Sequence, residues 1–249
     1  MLIFRRIFNF EQAKVEQLEK RLNQRYVPGP SFPLQATLHY GGRDFSAKIL
    51  DIASNGVGVL VAPGTALAAG HHLRLSLMLE KHRLEIDARI AHLNPRENGI
   101  YLGLGLLFGE FELQKSFLQL MQPVAIGQSL QPMSADRVIQ DEPELTKQIY
   151  IGEPDSLLTI RMENKPGLPL HSFDFRMHDY FCRGVMQKGQ TDIYPLESID
   201  PYGARLTNPV FETSGGLHDE IQQLFRWVVP NLTSVIPENA REFLKKFAG

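Results

Sequence analysis

Between Leu73 and Leu79 every second residue is leucine, with Arg74, Ser76 and Met78 in the alternate places. A period of two marks a strand with one buried face. Five further short runs surround it: Leu34 to Tyr40, Phe45 to Ile52, Gly56 to Val61, Leu84 to Leu93 and Ile100 to Phe108. Gly41-Gly42, Asn94-Pro95 and Asn98-Gly99 supply turn signals between them. Six short strands joined by tight turns predict an antiparallel barrel or sandwich, the arrangements that bury one face of every strand.

The segments around this block read differently. Glu11 to Arg25 carries Val15, Leu18 and Leu22 at helical spacing and ends before Pro28, Gly29, Pro30 and Pro33. Phe111 to Met121 reads as a helix that could cover one end of a barrel. Val124 to Lys147 is polar and holds Pro132, Asp136, Asp141, Glu142, Pro143 and Glu144, so it reads as a linker. Beyond it come β-like runs at Gln148 to Ile151, Leu157 to Met162, Phe173 to Met177, Tyr180 to Val185, Ile193 to Leu196 and Gly203 to Leu206. Leu217 to Val229 and a segment from Pro237-Glu238 to Lys246 read as helices. The expected fold class is mainly β: a six-stranded antiparallel barrel with flanking helices, then a second, smaller β-rich domain ending in helices. The expected divisions are an arm at 1–25, a barrel domain at 26–122, a linker at 123–147 and the second domain at 148–249.

Charge narrows the function. The 249 residues carry 26 Lys and Arg against 28 Asp and Glu, a formal net charge of −2. That argues against a general nucleic-acid binder, which needs a positive field. Yet residues 1–25 hold six basic and three acidic side chains, a net +3. A basic arm on an acidic body points to an anionic ligand or surface. The single cysteine, Cys182, forms no internal disulfide and no Cys-rich metal site, so no metal and no cofactor are expected. No apolar run approaches the ~18 residues of a membrane-spanning helix. MLIFRRIFNF is too interrupted for a signal peptide. As a helix it could lie peripherally on a membrane; packing against protein is the preferred reading. The expected location is cytoplasmic.

Two motifs carry a family resemblance. Arg21 and Arg25 form an R-x-x-x-R pair ahead of the first strand. Asp51-Ile52-Ala53-Ser54-Asn55-Gly56 is close to D-x-S-x-x-G and ends the second strand. With the run Tyr101 to Phe108, this order resembles the PilZ domain, a bacterial receptor module for cyclic di-GMP, over about Lys20 to Gln122. The spacing from Arg25 to Asp51 resembles the flagellar-brake branch. The resemblance implies a ligand site at Arg21, Arg25, Asp51, Ala53, Ser54 and Gly56. The chemistry fits. An arginine fork can pair with guanine O6 and N7, stack on a base or hold phosphate. Asp51 can accept from the guanine N1–H and N2–H edge, and Gly56 allows a tight turn.

One position departs from the pattern. The motif's serine place holds Ala53, and the serine follows at Ser54. Losing one neutral hydrogen bond costs about 0.5–1.5 kcal/mol, roughly threefold to tenfold in affinity. Glu197 to Leu206 resembles the motif with Asp and Ser exchanged, which suggests a diverged second PilZ-like barrel. No arginine pair accompanies it, so no nucleotide site is expected there.

Other readings compete. Arg21 and Arg25 could be solvated helix charges paired with Glu16 or Glu19. His178, Asp179 and Cys182 lie in a strand-like run without an acyl-transfer motif, so no enzyme is expected. His71 and His72 are adjacent and would not chelate together in a strand. The expected function is a second-messenger effector that changes conformation on binding cyclic di-GMP. It would act on motility, pili or exopolysaccharide (and hence biofilm) through a protein partner in the flagellar, pilus or polysaccharide machinery. The alternative is a PilZ-fold scaffold that binds no ligand.

Overall fold

The leucine-alternating strand closes a ring. The structure, a computed structural model, describes residues 4, 24–64, 66–153, 155–165, 167, 169–178, 180–186, 191–195 and 215–249, with 191–195 and Gly215 described by backbone alone. The strands are β1 (Leu34–Tyr40), β2 (Arg43–Ala53), β3 (Gly56–Val61), β4 (His72–Leu79), β5 (His82–Arg96) and β6 (Gly99–Leu107). They form a closed barrel in the order β1-β2-β3-β6-β5-β4, every neighbouring pair antiparallel. Closure leaves no unpaired sheet edge. The inward set is aliphatic: Leu38, Val57, Val59, Leu75, Ile86 and Leu102 are fully buried. Expected and observed strands agree to within a few residues. β5 is the exception, because it runs through the expected turn at Asn94-Pro95 to Arg96. Proline is tolerated there because β4 pairs only as far as Arg89, so Pro95 has a neighbouring strand on the β6 side alone and sits at a sheet edge.

Two bulges interrupt the alternation. In β2, Ala47 and Ile49 lie on the core side, but the register shifts between Ile49 and Asp51 and Ile52 takes the core. In β5, Leu84, Ile86, Ala88 and Ile90 are buried, the register shifts between Ile90 and His92, and Leu93 pairs with buried Leu102. An extra residue reverses the phase of a period-two strand. Asp51 and His92 therefore point outward where uninterrupted alternation would have turned them into the barrel.

Helix α1 spans Phe111–Ser129, eight residues longer than expected. Its buried set, including Leu120, Met121, Val124 and Ala125, keeps helical spacing past Pro123. Phe117 packs on Phe108, ring centroids 5.5 Å apart. Phe4 is buried, and both its backbone groups meet the Gln119 amide: its N–H donates to Oε1 (3.0 Å) and its carbonyl accepts from Nε2 (2.9 Å). At this residue the N-terminal segment packs on the protein itself. The expected helix at 11–25 lies outside the described residues apart from its last two.

Contacts divide the chain into Met1–Val124 and Ala125–Gly249. The span expected as a linker, 123–147, instead holds the end of α1, β7 (Gln131–Pro132) and the start of β8 (Leu145–Gly152). Its polar composition is that of a solvent-facing sheet border. The second unit continues with β9 (Ser156–Glu163), β10 (Leu170–Met177), β11 (Tyr180–Val185), β12 (Thr191–Pro195), α2 (Gly215–Val228) and α3 (Glu238–Ala248). Its sheet is a plain meander, β12-β11-β10-β9-β8-β7. Among the described residues that order differs from the barrel's. The motif-like stretch Glu197 to Leu206 lies outside the described residues. The helices pack on this sheet through aromatic rings: Phe173 meets Phe225 at 5.4 Å and Phe247 at 5.3 Å.

Candidate functional site

The end of β2 gathers the site. Tyr26 and Ile52 exchange two backbone hydrogen bonds, Tyr26 N–H to Ile52 O at 2.9 Å and Ile52 N–H to Tyr26 O at 2.8 Å. Tyr26 is buried. This single bridge brings the preceding residue, Arg25, against the outward carboxylate of Asp51. Arg25 donates from Nη1 to Oδ1 of Asp51. Its side chain is 53% exposed and that of Asp51 is 18% exposed. The pair is thus open on the arginine side, where water screens it.

The other carboxylate oxygen is also held. Tyr101, on β6, donates its hydroxyl to Asp51 Oδ2 at 3.3 Å. Burial, and then the Asp51 charge, raise the Tyr101 pKa. The phenol therefore remains a donor throughout the neutral range. The Arg96 guanidinium lies 4.9 Å from the Tyr101 ring centroid, and the His92 ring lies 5.4 Å from it, tilted by 36°. Sequence reasoning did not single out Tyr101 or His92. The signal was present as a slip in the apolar phase, from Ile90 to Leu93 and from Ile49 to Ile52.

The remaining motif residues lie at the β2–β3 turn. Ala53 is buried and pairs with Gly56, which opens β3 and pairs onward with Gly105. Ser54 is fully buried, and its Oγ has no hydrogen-bond partner. Its hydroxyl is therefore not open to a ligand in this conformation. Arg21 lies outside the described residues, so of the arginine pair only Arg25 is located. Asp51 and Arg25 are together; Ala53 and Gly56 shape the turn beside them.

Other chemistry finds little footing. Cys182 is buried, and burial pushes its thiol well above the ordinary range, which leaves no thiolate at neutral pH. Asp179, between His178 and Cys182, lies outside the described residues. Among the described residues no group of three His, Cys, Asp or Glu is placed to hold a metal ion. No described helix is long and apolar enough to cross a membrane.

Comparison with known proteins adds a family model that matches part of the chain. The PilZ domain model matches residues 19–121. No curated protein matches the chain. Several solved structures are similar. The PilZ domain of YcgR from Escherichia coli, solved with c-di-GMP, is 16% identical, covers 39% of this chain and 83% of its own, and has a TM-score of 0.33. The Bacillus subtilis inhibitor of motility MotI/DgrA is 20% identical over 38% of this chain and 47% of its own, with a TM-score of 0.32. PlzA from Borreliella burgdorferi, in complex with c-di-GMP, is 13% identical over 70% of this chain and 86% of its own, with a TM-score of 0.35.

Proposed function

We propose that the chain is a cyclic di-GMP effector rather than an enzyme, a reading supported by the match of the PilZ domain model to residues 19–121. The observation that supports this most directly is the Arg25–Asp51 pair on the barrel's outer face. A carboxylate held by an exposed arginine is already shaped to accept the two N–H groups of a guanine edge. The released guanidinium then serves the guanine O6 and N7 or a phosphate. Arg21, four residues earlier, supplies the second guanidinium. Ala53, Ser54 and Gly56 form the turn beside the base. In this reading residues 1–25 act as an arm whose position differs between free and bound states. Such a difference is what a ligand needs in order to shift a conformational equilibrium.

The output is a protein partner in the cytoplasm, within the flagellar, pilus or polysaccharide machinery. Calorimetry with cyclic di-GMP tests the reading. Wild type should bind, and Arg21→Ala, Arg25→Ala and Asp51→Ala should each weaken binding by at least about tenfold, the loss for a charge-assisted hydrogen bond. No heat from wild type at tens of micromolar ligand would sink it. One observation favours a second reading, a scaffold that binds no nucleotide: Ala53 lacks a hydroxyl and that of Ser54 is buried. The same titration separates the two.

A further inference from the structure

Asp51 and His92 share more than a bulge. The register places them at the two ends of one row across four strands: Asp51 on β2 pairs with Gly58 on β3, Gly58 with Gly103 on β6, and Gly103 with His92 on β5. Both middle positions are glycine, and both end side chains fold inward over them. A Cβ at Gly58 would lie 2.7 Å from Asp51 Cγ and 2.8 Å from Oδ1. A Cβ at Gly103 would lie 2.6 Å from His92 Nδ1, and closer still to Nε2 and Cε1. Any larger residue would push the carboxylate or the ring off the sheet.

The consequence is geometric. The Asp51 carboxylate lies over β3 and the His92 ring over β6, and adjacent strands are about 4.8 Å apart. That separation is within the width of one purine. His92 is exposed although Gly103 beneath it is buried, so one side of the ring rests on backbone and the rest faces solvent. Tyr101 spans the two ends, with its hydroxyl on Asp51 and its ring beside His92. Bulges recur where a strand must re-aim a side chain beside a binding site. Here two of them, on different strands, aim two side chains at one glycine-floored patch.

We propose that His92 is a base-stacking residue of the nucleotide site: Asp51 takes the edge of a purine and the His92 ring, one strand over, takes its face. This rests on the cyclic di-GMP reading and extends it to a part of the barrel outside both sequence motifs. Gly103 acts through His92 as a positioning residue, because it allows the ring to lie flat.

The test uses the full chain and a cyclic dinucleotide carrying one 2-aminopurine, whose emission is quenched by stacking, beside calorimetry with cyclic di-GMP. His92→Ala should weaken binding by at least about fivefold, the low end for losing one base–aromatic stack, and should restore emission. His92→Phe should keep both affinity and quenching, since the ring face carries the role. Gly103→Ala should resemble His92→Ala although it leaves the imidazole in place. His92→Ala binding and quenching like wild type overturns the proposal, as does His92→Phe failing as badly as His92→Ala. A wild type that binds neither ligand overturns both this inference and the receptor reading; a wild type that binds beside a normal His92→Ala overturns the stacking role alone.

Discussion

Asp51 in the barrel and Asp174 in the second sheet both meet arginine, and the settings are opposite. Asp174 lies between two strands that each send it a guanidinium: Arg161 Nη1 to Oδ2 at 2.6 Å and Arg183 Nε to Oδ1 at 2.5 Å. Its side chain is 10% exposed, and those of the two arginines are 19% and 30% exposed. All three groups stand on paired strands of one meander. Asp51 instead takes its arginine from a segment that, among the described residues, is joined to β2 by one bridge, and its second oxygen takes a 3.3 Å hydrogen bond from a phenol. One carboxylate is consumed by the fold. The other holds a partner that stays half in water. Chemical type alone does not separate the structural aspartate from the one proposed to bind a ligand; the two differ in the origin and exposure of the cation.

The single tryptophan, Trp227, is buried in the second unit, so its fluorescence reports that unit's unfolding and can break or sharpen the contrast. The largest effect is expected for Phe173→Ala, which removes the ring that both Phe225 and Phe247 pack on. It should lower stability by about 3–5 kcal/mol in urea titrations followed at Trp227. Asp174→Ala should follow at about 2–3 kcal/mol, below the usual cost of breaking a buried pair because both arginines retain some solvent. Asp51→Ala should cost less than about 1 kcal/mol, since its arginine is half in water, and should leave the Trp227 transition in place. An Asp51→Ala shift as large as that of Asp174→Ala would erase the distinction.

The smallest effect is at alkaline pH. The folded Tyr101 pKa is raised above its unfolded value, which is about 10. Its contribution to stability is therefore full below the unfolded value and is lost as pH rises through the folded one. Barrel stability followed by circular dichroism should fall more steeply with pH in wild type than in Tyr101→Phe. Equal slopes would remove Tyr101 from the electrostatics of Asp51.

What the sequence discloses follows from the range of each interaction. A barrel strand with one buried and one wet face, as at Leu73 to Leu79, states its own geometry, whereas β3 is buried at five of its six positions and is read from its apolar run and turns. The Arg25–Asp51 pair is legible through its motifs. The His92 row is not, because its four members come from four strands and meet only through register. The span 123–147 misleads for a different reason. Leu145 to Gln148 is a partly exposed strand whose side chains look like linker, while the apolar spacing of Val124 and Ala125 continues a helix past a proline. Composition reports solvent, and backbone pairing has to be found elsewhere.

The two bulges also set how this barrel tolerates insertions and deletions. Strands β2 and β5 are each read in two frames, one before the extra residue and one after. Deleting Leu50 alone, or Ala91 alone, would restore a single frame. The shortened strand would keep Ile49 and Ile52, or Ile90 and Leu93, on the core side and Asp51 or His92 outside, because the partners across the ladder stay the same. Loss of either one-residue spacer should therefore leave the inward and outward sets unchanged and remove only the local bend of the bulge.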